Sequence, residues 1–327
     1  MSRPAMRFEP TSSNATPAEP GFTCRHCGGR RSRVRYEFAE HDKVIRECAS
    51  CRLMVLDPMP SEDELHAVYN EGYFENEQLT AANPAHVYGY VDYISERINK
   101  QRGYRSICEV LRQFQLSPRA RPRLLDYGCG LGFFLDAAYE FGFDVEGIEF
   151  NRWAIGYIRS RYQYPVHGPD DPRPGEPYDV ITMFDVIEHL REPFEMLDTV
   201  HGMLADDGLL VVSTMDSTSV TSRLMGKRLE DFRRIREHLF FFDRANLSSI
   251  LGKHGFDVLK VASIGHSFEL RLLASRLRAT LPVLGAPMQW FLKAFPFMNG
   301  WSIYLDPRTK FIVYARKRGS HGRSRIA

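Results

Sequence analysis

One stretch constrains this chain more than any other: Leu124-Leu-Asp-Tyr-Gly-Cys-Gly-Leu-Gly-Phe-Phe-Leu135. It reads as an apolar strand that ends at Asp126, turns through Gly128, Gly130 and Gly132, and opens a helix. Glycines at alternate positions let the backbone turn tightly and approach a ligand more closely than a Cβ would permit. Dinucleotide-binding folds use a related loop. Here, however, an acid precedes the first glycine by two residues, and the third glycine follows the second by two residues rather than three. A second strand, Val145-Glu-Gly-Ile-Glu149, ends in another acid at the distance expected for a group that holds ribose hydroxyls. From Arg123 onward strand and helix patterns alternate, which predicts an α/β, doubly wound sheet of seven strands.

The glycine loop and the acid after the second strand resemble motif I and the following acidic position of class I S-adenosylmethionine-dependent methyltransferases. The resemblance implies S-adenosylmethionine as cofactor, with Asp126, Gly128, Gly130 and Gly132 around its methionine part and Glu149 on its ribose. Phe150, directly after that acid, joins the same set. Asp170 (or Asp171) stands where family members often carry an acid for the adenine amino group. The fourth strand, Tyr178 to Phe184, runs into Asp185-Val-Ile-Glu-His189, at the strand edge where open α/β sheets bind ligands. Asp185 is therefore a further cofactor candidate. Asp185, Glu188 and His189 also resemble the metal-binding acid, acid and histidine of ubiquinone-pathway O-methyltransferases, while Glu188 could simply cap the next helix.

Two residues are candidate bases. A neutral His189 within reach of a substrate hydroxyl could remove its proton. Glu237-His238 before the aromatic run Phe240 to Phe242 resembles a segment of sugar C-methyltransferases that supplies catalytic histidines, which makes His238 the second candidate. The methyl donor is already activated, so the protein mainly has to align the acceptor and exclude water. The expected reaction is O-methylation of a small-molecule or glycan acceptor. The alternatives are sugar C-methylation, methylation of ribosomal or transfer RNA, and a non-catalytic cofactor-binding scaffold.

Four of the six cysteines fall as Cys24-Arg-His-Cys27 and Cys48-Ala-Ser-Cys51, with twenty residues between the pairs. Two such knuckles complete a closed tetrahedral site, so Cys24, Cys27, Cys48 and Cys51 are expected to hold a structural Zn2+ in a ribbon spanning 21–56. Five arginines between Arg25 and Arg35 could touch phosphate. Against that, 43 Lys and Arg balance 41 Asp and Glu for a net charge of +2, which makes nucleic acid an unfavoured partner.

The expected organisation is a disordered leader over 1–20, the ribbon, a helical cap over 57–120, a methyltransferase domain over 121–318 and a basic tail over 319–327. The leader lacks the apolar stretch of a signal peptide, and the cysteines read as thiols or metal ligands, so a cytoplasmic location is expected. Ser61-Glu-Asp-Glu64 reads as a capping box that opens a helix. A second helical pattern covers 84–116. The last two strands, Phe256 to Val261 and Lys310 to Ala315, should pair antiparallel around an apolar insertion at about 265–308. That insertion is too interrupted by proline to span a bilayer. It could cover the crevice, touch a membrane surface through 268–305, or form a homodimer contact.

Overall fold

Strand periodicity and helix caps decide most of the architecture. The computed structural model describes residues 22–69, 73–74, 97–114, 119–171, 175–280 and 282–319. The expected leader, the part of the cap pattern at 84–96 and the tail from 320 lie outside these residues.

The amino-terminal part is a small antiparallel sheet, β1 (Ser32–Phe38), β2 (Lys43–Cys48) and β3 (Met54–Asp57). Next comes α1 (Glu62–Val68), where the Ser61 and Glu64 side chains form the expected capping box. The long α2 (Arg97–Phe114) leads into the large sheet. There β4 (Arg123–Tyr127), α3 (Phe133–Glu140), β5 (Asp144–Ile148), α4 (Arg152–Arg161), β6 (Val166–His167) and β7 (Tyr178–Phe184) follow in turn. Then come α5 (Pro193–Met203), β8 (Leu204–Met215), α6 (Val220–Met225) and α7 (Glu230–Arg233). The chain closes with β9 (Phe240–Phe241), α8 (Arg244–Lys253), β10 (Phe256–Glu269), α9 (Leu270–Thr280), α10 (Pro282–Ala294) and β11 (Ser302–Lys317).

The large sheet has seven strands in the order β10-β11-β8-β7-β4-β5-β6. Strands β6, β5, β4, β7 and β8 are parallel, and β11 and β10 join antiparallel. Chain order reverses between β4 and β7, which opens a crevice at their carboxyl ends. Both faces of the sheet are buried, so its central strands are nearly continuous apolar runs. Leu124, Val180, Val211 and Ile312 pack under α2, α3 and α4 on one face. Leu125, Ile181, Leu210 and Val313 pack on the other against Leu197 of α5 and Leu247 and Ile250 of α8.

Helix α5 begins at Pro193, because proline suits a first turn whose N–H would be unpaired anyway. Asp206 to Gly208 lie inside β8, where pairing jumps from Tyr178↔Leu204 to Val180↔Leu209. The last two strands run well beyond their expected ends and pair as far as Glu269↔Ser302. The small sheet is also not closed locally. Its fourth strand is β9, which pairs Met54↔Phe241 and Val55↔Phe240. Phe38, Ile45, Met54 and Leu56 consequently share one core with Phe240 to Phe242 and α8.

Candidate active site and cofactor crevice

The glycine loop leaves β4 with positive φ at Gly128 (76°), Gly130 (56°) and Gly132 (75°), a region that L side chains adopt only with strain. A Cβ on Gly128 would also lie 2.5 Å from Cγ2 of Val186. The loop amides are already used. Gly128 and Cys129 donate to the Ile148 carbonyl at 2.8 and 3.0 Å, and Gly130 donates to Glu149 Oε2 at 2.7 Å. A polyphosphate loop keeps its N–H groups pointing at the ligand. Here they hold the loop against β5, and Cys129 packs on Gly147, where a Cβ would meet its sulfur at 2.7 Å.

Two buried carboxylates stand beside the loop. Asp126 accepts from the Thr182 hydroxyl at 2.6 Å. Burial pushes its carboxyl up to about 7, opposed by the Thr182 hydrogen bond and reinforced by Glu149. Glu149 is raised by burial as well, against the pull of three backbone N–H donors. Its Oε1 accepts from Phe150 and Asn151 at 2.8 and 2.9 Å, while Oε2 takes Gly130. With no cation among the described residues that shifts either one, the two carboxylates suit a positively charged ligand, whose arrival would lower both pKa values. Beyond Glu149 opens a cavity of about 750 Å³ lined by His66, Tyr69, Phe150, Asn151, Ile155, Asp170 and Asp171. The half-exposed Phe150 ring faces His66 across 4.9 Å. The structure thus gathers Asp126, the three glycines, Glu149, Phe150 and Asp170 along one edge of the sheet.

At the switch point, Asp185 takes φ of 55° and its carboxylate meets Lys310 Nζ at 2.5 Å. His189 and His238 come together from elements 49 positions apart, with ring centroids 4.7 Å apart and edge to face. His238 is 2 % exposed and its Nδ1 has no hydrogen-bond partner among the described residues, whereas His189 is only partly buried. Nδ1 of His189 lies 2.7 Å from the Tyr69 hydroxyl and 3.0 Å from the Glu237 carbonyl. Burial, with help from Arg234, pushes the His189 imidazole down to about 3, so it is neutral at physiological pH. His238 is likewise held well below the usual range by burial and by His189. Behind them Glu237 accepts from Tyr73 (2.9 Å) and Arg234 (3.0 Å).

Glu188 does not cap a helix. It is 1 % exposed, its Oε2 lacks a partner among the described residues, and burial followed by Asp185 raises its carboxyl to about 8. Ligand atoms of Glu188, His189 and His238 lie within 4.8 Å of one another, a set that could hold a metal ion. The acid-acid-histidine grouping suggested by the sequence is therefore redrawn: His238 takes the place of Asp185, whose carboxylate is drawn to Lys310. Glu237 entered the sequence reading only beside His238, and Tyr69, Arg234 and Lys310 gave no local signal. Tyr69 lies 120 positions from His189, so nothing short of the fold joins them.

The four ribbon cysteines converge as the spacing implied. Sγ of Cys24 lies 3.5 Å from that of Cys51, and Cys27 lies 3.6 Å from Cys48. All four sulfurs fall within 4.8 Å of one another. A tetrahedron with metal–sulfur bonds of about 2.3 Å has edges of about 3.8 Å, so the set could hold Zn2+.

The Methyltransferase domain family matches residues 98–261, half of the chain, and the chain belongs to that family, with the class I S-adenosylmethionine-dependent methyltransferase fold. A Mycobacterium tuberculosis protein named as a probable S-adenosylmethionine-dependent methyltransferase is 31 % identical over 105 residues, 31 % of this chain and 38 % of its own length. The ubiquinone biosynthesis O-methyltransferase of Xylella fastidiosa is 25 % identical over 171 residues, 48 % of this chain and 60 % of that protein. The chain thus spans only about 38 to 60 % of these curated relatives. Among solved structures, magnesium protoporphyrin IX methyltransferase from Synechocystis, with bound SAH, aligns with a TM-score of 0.49 at 15 % identity. That alignment covers 79 % of this chain and 100 % of the other.

Proposed function

We propose that this protein transfers a methyl group from S-adenosylmethionine to a hydroxyl of a small-molecule or glycan acceptor, with His189 as general base. The observation that carries the reading is the setting of His189. A backbone carbonyl can only accept, so we assign the imidazole proton to Nδ1, which donates to the Glu237 carbonyl with the Tyr69 hydroxyl accepting beside it, and the lone pair to Nε2. The cofactor, when bound, supplies an activated methyl carbon on a sulfonium centre. With it bound, the acceptor oxygen would displace the sulfur from that carbon, the electrons of the carbon–sulfur bond going to sulfur, and Nε2 of His189 would take the hydroxyl proton. The positive charge would thus pass from sulfur to the His189 ring, and Glu188 stands where an ionised carboxylate would stabilise the imidazolium.

Asp126, the glycine loop and Glu149 are assigned to the methionine and ribose parts, Phe150 and Asp170 to the adenine end, and Asp185 to the crevice floor. His238 is assigned to holding the His189 ring from behind, because it is buried. The four cysteines are assigned a structural Zn2+. An RNA acceptor finds little support in the ribbon arginines: Arg25 pairs with Glu192, and Arg33, Arg35 and Arg52 gather on Glu47.

The test is transfer of labelled methyl to a panel of hydroxyl-bearing metabolites and glycans by wild type and His189→Ala. Loss of a positioned base predicts a fall in kcat of about 10²–10⁴-fold with cofactor affinity retained. Full turnover by His189→Ala on an accepted substrate would remove His189 from the base role.

A further inference from the structure

The antiparallel arm of the large sheet overshoots its neighbour. Strand β8 pairs with β11 only from Lys310 to Arg316, with Lys310 opposite Met215 at the carboxyl end of β8. Since β11 runs antiparallel, its residues before Lys310 project beyond the crevice edge, paired with β10 as far as Ser302. The helical hairpin of α9 and α10 sits at the end of this arm. Its base is tied to α2 by Arg102, which donates to Ser302 Oγ at 2.9 Å.

The outer surface of this hairpin is apolar and open to solvent. Val283 is 86 % exposed, Trp290 73 %, Phe297 68 %, and Leu284 and Tyr304 60 % each, with Trp301 at 56 % beside them. From Leu270 to Leu305 the sequence carries Arg271, Arg276, Arg278 and Lys293 and not one Asp or Glu. Arg271, Arg278 and Lys293 are exposed. A contiguous apolar patch with a polar rim marks a contact surface. Exposed Trp and Tyr next to cations, with acids only at the root of the arm (Glu269 and Asp306), match the interface of an anionic bilayer, where rings sit at headgroup level and Lys and Arg meet phosphate. A two-fold contact between two copies would bring cation against cation, because such a contact pairs a surface with itself. None of the described helices is long and apolar enough to cross a membrane, so the hairpin would lie on the surface.

We infer that the α9–α10 hairpin docks this protein onto an anionic lipid surface through its aromatic tip and cationic rim. The inference stands on the exposed hairpin alone, whichever acceptor the crevice serves.

The test is flotation of the full chain with vesicles of phosphatidylcholine alone or mixed with phosphatidylglycerol, at low and high salt. Two of the three tryptophans, Trp290 and Trp301, lie in the patch, so their emission should shift to the blue on the mixed vesicles. The double variant Arg271→Glu, Lys293→Glu should partition more than tenfold more weakly, since each cation near an anionic surface contributes roughly fivefold. The pair Trp290→Ala, Phe297→Ala should lose both flotation and the blue shift, and both variants should keep wild-type circular dichroism. Failure of wild type to float with the mixed vesicles at low salt would overturn the inference, as would unchanged flotation of both variants. A wild-type dimer that Trp290→Ala dissolves would assign the face to a second copy instead.

Discussion

Glu149 holds the crevice together before any ligand arrives, and its removal tests that arrangement. Its carboxylate accepts from the buried amides of Gly130 and Asn151 and from the partly buried amide of Phe150. Glu149→Ala strands the two buried N–H groups at about 1–3 kcal/mol each, so a destabilisation of about 2–6 kcal/mol is expected. Release of a carboxylate that burial already disfavours offsets part of this, which places the outcome toward the lower end. Glu149→Gln should cost less, about 1–3 kcal/mol, because its oxygen can keep the Phe150 and Asn151 bonds while its amide NH2 opposes the Gly130 N–H. Urea unfolding of the three proteins gives these differences. Calorimetry with S-adenosylhomocysteine gives the second readout, a weakening of tenfold or more, equivalent to about 1.4 kcal/mol. If both variants unfold at the wild-type midpoint and bind normally, the carboxylate neither anchors the loop nor meets the cofactor.

Two further outcomes follow from the same geometry. Glu188 has a folded-state pKa of about 8, above its unfolded value, so its contribution to stability is complete below about pH 4.5 and is lost as pH rises through 8. Glu188→Gln should remove that slope, and stability curves of the two proteins that run parallel from pH 5 to 9 would refute the raised pKa. Zinc content should fall in Cys24→Ser, and unchanged metal content would sink the four-thiolate site. Because β3 pairs with β9 and Leu56 donates to the Leu239 carbonyl beside His238, loss of the ion should also lower turnover without changing cofactor affinity.

The cysteine pairs, the glycine loop, the acids after the first two strands of the large sheet and the cap at Ser61 were legible because each is a short-range pattern. Spacing alone decides where two thiolates point, where a backbone needs positive φ, and which side chain can reach an N–H three residues on. Tertiary structure alone decided the rest, because its contacts join residues far apart in the chain. It set Tyr69 and the Glu237 carbonyl on one nitrogen of His189, laid His238 behind that ring, and drew Asp185 to Lys310. It closed the ribbon sheet with Phe240 and Phe241, and it carried an apolar hairpin past the crevice edge on the overshoot of two paired strands. No local propensity encodes such pairings; they follow from which apolar faces of the sheet and ribbon are buried together.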